Sequence, residues 1–179
     1  MVKKKIKILG ISGSLRPDSS ASAVLGIVSK LFPANVDFKI YTGIGEIPAF
    51  DDSKEIPFPV AGFIKQIEEA DGVFFCIPEY AFGVPGALKN ALDWTVSGTA
   101  FSDKPVALIT AASQGQKAHA ALLNTLTALG TKINEDATLL ISFIRSKLDE
   151  NKEVVDIATL EAIKKLVESF IKSVEICGV

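Results

Sequence analysis

The stretch GISGSLRPDSS, which begins at residue 10, concentrates groups that bind anions between an apolar segment and an amphipathic one. It contains two glycines, four serines and one arginine, Arg16. A loop at the start of a helix offers unpaired backbone N–H groups and the positive end of the helix dipole, which together favour a phosphate. Ser14, Ser19 and Ser20 add hydroxyl donors, and Arg16 adds a planar charged fork. The stretch therefore predicts a phosphate-binding loop.

Helix capping is the simpler interpretation of the same serines. Ser19 or Ser20 would cap the helix that follows, with Asp18 favourable near its N-terminus. Capping leaves Arg16 unexplained, because a cation beside the positive end of a helix is unfavourable unless an anion lies between them. The loop also lacks the G-x-x-x-x-G-K-[ST] pattern of nucleoside triphosphatases and the G-x-G-x-x-G pattern of dinucleotide-binding folds. We therefore expect a ligand with one phosphate and no adenylate half.

A second stretch, IPEYAFGVPGALKNALDW, begins at Ile77 and places aromatic residues in a loop. Pro78 ends an apolar segment, and Tyr80 and Phe82 then follow among glycines and prolines. Aromatic side chains in a loop need a partner that covers them. A planar ring such as isoalloxazine beside the phosphate would be one such partner. Packing against a neighbouring subunit is the alternative.

The elements that must position these two loops alternate between strand and helix patterns. Continuous Val/Ile/Phe segments separated by amphipathic helices indicate a parallel sheet covered on both faces. We expect an α/β protein with a flavodoxin-like three-layer sandwich and a five-stranded parallel sheet of order 2-1-3-4-5, whose ligands bind where the strand order reverses. The predicted strands cover residues 5–12, 36–41, 72–77, 105–111 and 137–143, and the predicted helices cover residues 19–32, 63–70, 87–96, 118–129 and 157–174, with a loop over residues 42–59.

Composition excludes several classes of function. The 179 residues, 48% apolar and 22% charged, are ordinary for one globular domain over residues 1–179. A net charge of −2 gives no broad attraction to nucleic acid or anionic membranes. No apolar stretch approaches the roughly 18 residues of a membrane span, and two cysteines are too few for a disulfide scaffold or a structural zinc site. We expect a cytoplasmic protein with no membrane, nucleic acid or metal partner.

Together the two loops resemble the NADPH-dependent FMN reductase family, whose members include chromate-, quinone- and azo-reducing flavoenzymes. The spacing between the blocks and the strand–helix order agree with that family over essentially the whole chain. The matching residues are Gly13-Ser14-Leu15-Arg16-x-x-Ser19, Pro78-Glu79-Tyr80 and Pro85-Gly86-x-Leu88-Lys89-Asn90-Ala91-x-Asp93-Trp94.

The resemblance implies FMN as the cofactor and NADPH or NADH as the electron donor. It assigns the FMN phosphate to the first loop, the ribityl chain and ring to the second, and the pyrimidine edge to residues 113–116 after the fourth strand. A helix N-cap at Ser113 is the alternative for the last of these. The implied FMN-binding residues are Ser12, Ser14, Arg16, Ser19, Ser20, Pro78, Glu79, Tyr80, Ala81, Phe82, Ser113, Gln114 and Gly115.

The chain departs from the family pattern at two positions. Family members often carry asparagine where this chain has Ala21 and Ala81. We expect Ser20 or Ser22 to replace the first contact, and we expect the second change to affect flavin affinity or substrate preference. The segment of residues 88–94 is expected to have a structural role, in packing or in a subunit interface.

The expected activity needs no acid, base or nucleophile from the protein, because a flavin carries the hydride chemistry. This agrees with a chain whose one histidine, His119, falls in a helix pattern and predicts a packing or surface residue. We expect a two-step exchange, from NAD(P)H to FMN and then to a quinone, azo compound, chromate or free flavin. The aromatic residues of the second loop, with Trp94, predict a homodimer or homotetramer.

Two other functions stay open from the sequence. A flavodoxin-type electron carrier is usually strongly acidic and lacks a matching arginine, so the net charge of −2 and Arg16 disfavour it. A flavodoxin-like scaffold that has lost or weakened FMN binding is the other, and Ala21 and Ala81 are the residues that suggest it.

Overall fold

The structure of the protein, a computed structural model, describes residues 5–16 and 18–178. Within these residues five parallel strands form one sheet of order β2-β1-β3-β4-β5, which confirms the predicted topology. None of the described helices is long and apolar enough to cross a membrane. The strands are β1 (Ile6–Ser12), β2 (Val36–Tyr41), β3 (Gly72–Ile77), β4 (Pro105–Ala112) and β5 (Lys132–Ser142), and the helices are α1 (Ser20–Leu31), α2 (Phe58–Glu69), α3 (Gly86–Asp93), α4 (Gln116–Ala128) and α5 (Ile157–Gly178).

Helices cover both faces of the sheet, as the three-layer prediction requires. β3 and β4 are buried along their whole length, in agreement with their continuous apolar sequences. Successive side chains of a strand point to opposite faces, so Phe74 packs with α1 and α5, whereas Phe75 packs with α2, α3 and α4. The strand order reverses beside β1, and the carboxyl ends of the strands open at one edge of the sheet.

α2 begins at Phe58 instead of the predicted residue 63, which shortens the loop predicted over residues 42–59. The sequence predicts a loop here because of its prolines, but proline also fits the first turn of a helix. Pro59 lies in the first turn of the helix, where its missing N–H has no helical acceptor to lose. Ala61 N–H donates to the Pro57 carbonyl at 2.9 Å and closes that turn. The same loop also contains a short 3-10 turn, Gly43–Glu46.

β5 begins at Lys132, whereas the sequence predicts only its apolar end from residue 137. Its register against β4 shifts between Val106 and Leu108, so the polar residues 134–136 lie at an irregularity. Acidic and amide side chains have low strand propensity, which explains the late predicted start. Because β5 is an edge strand, this irregularity leaves the central sheet intact.

Asp156 precedes α5 and fixes its first turn. Its Oδ1 accepts hydrogen bonds from the Thr159 hydroxyl, from Thr159 N–H at 2.9 Å and from Lys147 Nζ at 3.1 Å. These bonds, that from the Thr159 hydroxyl above all, lower the pKa of Asp156 to about 2. The folded protein therefore favours the ionised carboxylate more than the unfolded chain does.

We expect this carboxylate to make stability fall in acid. A lowered folded pKa gives a contribution that is complete above about pH 4 and is lost as the pH falls towards about 2. Asp156→Asn should lower the free energy of unfolding at neutral pH. Below about pH 4, the free energy of unfolding of this variant should fall less than that of the wild type. Urea unfolding measured across this pH range tests the expectation, and identical pH slopes for the two proteins would contradict it.

Candidate functional site

The loops that follow β1, β3, β4 and β5 enclose a cavity of about 770 Å³ at the carboxyl edge of the sheet. This volume falls in the range of roughly 300–1,000 Å³ typical of small-molecule sites. Both candidate loops therefore meet in one place, which we call the main cavity. Its lining consists of residues 16, 18–21, 78–82, 111–114, 144, 145, 148, 149 and 152.

The first loop presents the N-terminus of α1 to the main cavity. Ser19 occupies the N-cap position, but its side chain makes no capping hydrogen bond, so capping does not account for it. Arg16 is exposed and lines the cavity with Ser19 and Ser20. Its backbone is held by two hydrogen bonds of 3.2 Å, from its N–H to Ser14 Oγ and from Ser19 N–H to its carbonyl. A cation and a helix N-terminus thus face the cavity together, which suits an anion.

Ser12 and Ser14 do not line the main cavity. Ser12 Oγ lies 2.8 Å from Ser22 Oγ, and Ser14 Oγ lies 2.9 Å from the Tyr80 hydroxyl. Both serines border an adjoining cavity of about 280 Å³, whose wall also includes Arg16. The Ser14–Tyr80 pair ties the first loop to the second. Of the two serines expected to compensate for Ala21, Ser22 is engaged with Ser12, whereas Ser20 lines the main cavity.

The second loop makes a tight turn at the main cavity. Tyr80 and Gly83 exchange backbone hydrogen bonds of 3.1 and 2.9 Å, and the residues between them, Ala81 and Phe82, have φ values of 48° and 59°. Two positive φ values between such a pair are typical of a type I′ turn, which favours asparagine and glycine. The turn leaves Phe82 66% exposed and Tyr80 40% exposed. An asparagine at position 81 would therefore suit the backbone as well as a ligand.

Ala81→Gly is expected to stabilise the protein by about 1 kcal/mol. An alanine in the left-handed region costs roughly 1–2 kcal/mol, and glycine removes this cost. Part of the gain is lost again because glycine increases the conformational freedom of the unfolded chain. Ala61→Gly is the matched control, because Ala61 is exposed in α2, where the same change should destabilise by about 1 kcal/mol. Urea unfolding measures both variants. Losses of equal size in the two would contradict the turn geometry.

Glu79 and Gly115 act together at the start of α4. Gly115 is the N-cap residue, with φ 96°, and has no side chain that could cap the helix. Glu79 caps it from the second loop, because its Oε2 accepts a hydrogen bond from Ala118 N–H at 3.3 Å. A carboxylate at this position also interacts favourably with the helix dipole. The alternative of an N-cap at Ser113 is therefore wrong, and Glu79 joins the second loop to α4.

The loop after β4 presents Ser113 and Gln114, but not Gly115, to the main cavity. Its carbonyl groups are tied to the end of β5: Ser113 O accepts from Phe143 N–H at 3.1 Å, and Gln114 O accepts from the Ser142 hydroxyl at 2.8 Å. Gly115 is buried behind this loop. The structure thus gives Gly115 a packing role next to the site.

Residues 144–152 complete the wall on the β5 side, and the sequence does not indicate them. Arg145 and Lys152 bring two cations to this wall, and Leu148 brings an apolar side chain. The segment LDENKEVVD, which begins at Leu148, has the composition of an ordinary solvated loop. No motif could have identified these residues, because only the tertiary structure brings them to the cavity.

The sequence matches the family model described as NADPH-dependent FMN reductase over residues 6–145. The chain belongs to this family. Members are oxidoreductases that bind FMN and use NAD(P)H as the electron donor. The resemblance carried by the two loops is thereby confirmed, and so are the enzyme class and the cofactor.

Proteins named as reductases or oxidoreductases align with nearly the whole chain. The quinone reductase of Escherichia coli (strain K12) is 28% identical and aligns over 94% of this chain and 95% of its own length. An NAD(P)H-dependent FMN reductase of Pseudomonas aeruginosa is 34% identical over 92% of each chain. Among solved structures, the flavoenzyme NAD(P)H:(acceptor) oxidoreductase FerB from Paracoccus denitrificans gives a TM-score of 0.84 at 26% identity, covering 97% of this chain and 100% of that one.

The third block of the FMN reductase pattern, in and after α3, fastens the loop that follows β2. Trp94 Nε1 and Asn90 Nδ2 donate to the Pro48 carbonyl at 2.9 and 2.8 Å, and Asn90 Oδ1 accepts from Phe50 N–H at 2.8 Å. The Trp94 ring packs edge-on with Phe50, and Trp94 is only 6% exposed. Of the two roles predicted for this block, the structure supports packing. Trp94 is covered by its own chain, so it offers no exposed ring to a subunit interface.

The residues of the main cavity fit FMN. Its first wall combines Arg16 with the N-terminus of α1, as a phosphate requires, and its second wall carries the proline and aromatic residues of segment 78–82, as a planar ring requires. No cluster of three metal-ligating side chains occurs in the described part of the chain. His119 is not in the lining; its Nδ1 lies 2.9 Å from Thr110 Oγ1, and burial lowers its pKa.

Proposed function

We propose that the main cavity binds FMN and that the protein passes electrons from NAD(P)H to small oxidised acceptors. In this proposal Arg16, Ser19 and Ser20 bind the phosphate with the N-terminus of α1. Ser14, which borders the adjoining cavity, supports this loop because its Oγ accepts a hydrogen bond from Arg16 N–H at 3.2 Å. Segment 78–82 lines the ribityl chain and the ring, Ala81 included.

Four of the proposed FMN-binding residues lie in the loop after β4 or behind the main cavity. Ser113 and Gln114 face the pyrimidine edge of the ring. Ser12 supports the first loop through its contact with Ser22 at 2.8 Å. Gly115 supports the site through the start of α4, where a side chain would collide with its surroundings.

The observation that carries this proposal is the convergence of the two motif loops on one cavity. Ser14 and Tyr80 are 66 residues apart in the chain, yet the Tyr80 hydroxyl lies 2.9 Å from Ser14 Oγ. The convergence brings Arg16 and the N-terminus of α1 beside an apolar wall. This supports the proposal, because FMN needs an anion site for its phosphate and an apolar surface for its ring.

Bound FMN would supply the hydride and electron transfer. The chain binds and orients it and leaves the mouth of the cavity open to the donor and the acceptor in turn. The described lining contains neither histidine nor cysteine, and its carboxylates are engaged: Glu79 with α4, Asp18 with Lys152, and Asp149 with backbone N–H groups. The relatives named quinone reductase favour quinones among the acceptors, and azo compounds, chromate and free flavin belong to the same proposal.

The test is the chromophore of the purified full-length protein. It should show the absorbance of oxidised flavin, and mass analysis should identify FMN. Under anaerobic conditions NADPH or NADH should bleach that absorbance and a quinone should restore it, with parallel lines in double-reciprocal plots. Release of FAD would contradict FMN as the cofactor. Converging lines would contradict the two-step exchange.

The same experiment separates the two alternative functions. Reduction by a protein donor but not by NAD(P)H would favour a flavodoxin-type carrier. A colourless protein that does not bind added FMN would favour a scaffold without flavin function.

We also propose that the chain acts as one domain within a homodimer or homotetramer. Phe82, in the turn at the main cavity, is 66% exposed, and Phe143, directly after β5, is 67% exposed. Both offer apolar surface that a second subunit would cover. Light scattering at micromolar concentration should give a mass of at least two chains, and a monomer would contradict this.

A reducing, cytoplasmic location is proposed from the unpaired Cys76 and Cys177.

A further inference from the structure

Residues 147–155 form a tight hairpin after the last strand, which we call the clasp hairpin. Asp149 organises its turn: the Asp149 N–H donates to the Glu153 carbonyl at 3.0 Å, and its Oδ1 accepts from the N–H groups of Asn151 and Glu153 at 2.9 Å each. Lys152 lies in this turn with φ 62°, and its N–H donates to the Asp149 carbonyl at 3.0 Å. The hairpin turn therefore holds the backbone of Lys152 in place.

The clasp hairpin follows the segment that the family shares, since the match to the family model ends at residue 145. Two ion pairs nevertheless attach it to α1 and the loop before it. Lys152 Nζ lies 2.7 Å from Asp18 Oδ1, and Lys30 Nζ, in the last turn of α1, lies 2.9 Å from Glu153 Oε1. Only the first of these pairs belongs to the main cavity, whose lining includes Asp18 and Lys152.

Two cations, Lys152 and Arg16, lie near Asp18 at the N-terminus of α1. The hydrogen bond and the charge of Lys152, and more weakly the charge of Arg16, lower the pKa of Asp18, so both cations act on the same carboxylate. A phosphate monoester carries about two negative charges at neutral pH. One arginine and a helix N-terminus do not neutralise that charge. The lining has two further cations, Arg145 and Lys152, and the ion pair with Asp18 places Lys152 beside the first loop.

We propose that Lys152 is a second phosphate-binding cation of the FMN site, shared between Asp18 and the phosphate. This inference rests on the proposed function, because it requires FMN in the main cavity. The clasp hairpin positions the ammonium group, and Asp18 holds it at the N-terminus of α1. Lys152 thus helps the protein to distinguish FMN from riboflavin, which has the same ring and no phosphate.

The first experiment compares Lys152→Met with Lys30→Met, which removes the ion pair between the clasp hairpin and α1 without touching the main cavity. Flavin fluorescence, titrated with flavin-free full-length protein, measures the affinity for FMN and for riboflavin. Lys152→Met should lose about 3- to 10-fold in affinity for FMN and nothing for riboflavin. Lys30→Met should leave both affinities unchanged. The FMN affinity of Lys152→Met should also fall less steeply with salt than that of the wild type.

Asp18→Asn gives a test of sign. If Lys152 serves the phosphate, removal of the carboxylate that competes for it should raise the affinity for FMN. If the Asp18–Lys152 pair only fastens the loop, the same variant should lower the affinity for FMN and for riboflavin alike.

The inference is overturned if Lys152→Met binds FMN as the wild type does, if it loses riboflavin equally, or if Lys30→Met has the same effect. An unchanged FMN affinity with a raised KM for NADPH would also overturn it, since the phosphate served would then belong to the donor. These outcomes presuppose a wild-type protein that binds FMN, so a wild type without affinity for FMN would instead refute the proposed function.

Discussion

Arg16→Ala is expected to weaken FMN binding by about 10- to 150-fold. A charge-assisted hydrogen bond contributes roughly 1.5–3 kcal/mol, and each 1.4 kcal/mol corresponds to about a tenfold change in affinity. The Arg16 side chain is exposed on the wall of the main cavity, beside the N-terminus of α1. Its contacts to Ser14 and Ser19 are made by backbone atoms, which the substitution leaves in place. The loss should therefore fall on ligand binding.

Two further measurements show whether the effect arises from the phosphate. Flavin-free Arg16→Ala should unfold at nearly the urea concentration of the wild type, because removing a cation from the positive end of a helix relieves repulsion. Arg16→Lys keeps the charge and loses the planar fork, so its FMN affinity should lie between the other two. Unchanged affinity together with a less stable flavin-free protein would identify Arg16 as a structural residue.

The strand order could be predicted because the central strands leave little choice. A segment such as Gly72–Ile77, apolar at nearly every position, must be covered on both faces, and helices between such strands require parallel crossovers. The boundaries that differ most, at Phe58 and Lys132, lie where the local residue preference and the final structure disagree. Proline suggests a loop and acidic residues weaken a strand, but a helix N-terminus and a sheet edge tolerate them.

The site could be predicted only as far as its motifs reach. The loops around Arg16 and Tyr80 carry recognisable patterns and do meet at one cavity. The hydrogen bond of Glu79 to α4 and the ion pair of Lys152 with Asp18 join residues 39 and 134 positions apart, and no local pattern encodes such pairs. Gly115 lies outside the lining of the main cavity because of a packing geometry that a sequence does not display.

Gly115→Ala is expected to destabilise the protein by about 2–3 kcal/mol. A φ of 96° is unfavourable for any residue with a Cβ, and that Cβ would lie 2.6 Å from Leu140 Cδ1, 3.1 Å from Thr110 Cγ2 and 3.3 Å from Ala112 Cβ. Leu140 can rotate away, but Thr110 and Ala112 belong to buried β4 and cannot yield without moving the sheet. The start of α4 must shift instead, and FMN affinity should fall as Ser113 and Gln114 move with it.

Gly26→Ala is the matched control for this prediction, because it adds the same methyl group with the opposite expected sign. Gly26 lies within α1, and a Cβ there would meet nothing within 4 Å. Alanine is the better helix former, so this variant should gain about 0.5–1 kcal/mol and bind FMN as the wild type does. Urea unfolding of the two flavin-free variants, followed by FMN titration, measures both quantities. If Gly115→Ala were as stable as Gly26→Ala, the left-handed N-cap of α4 would be wrong, and Glu79 would have no helix end at this position to cap.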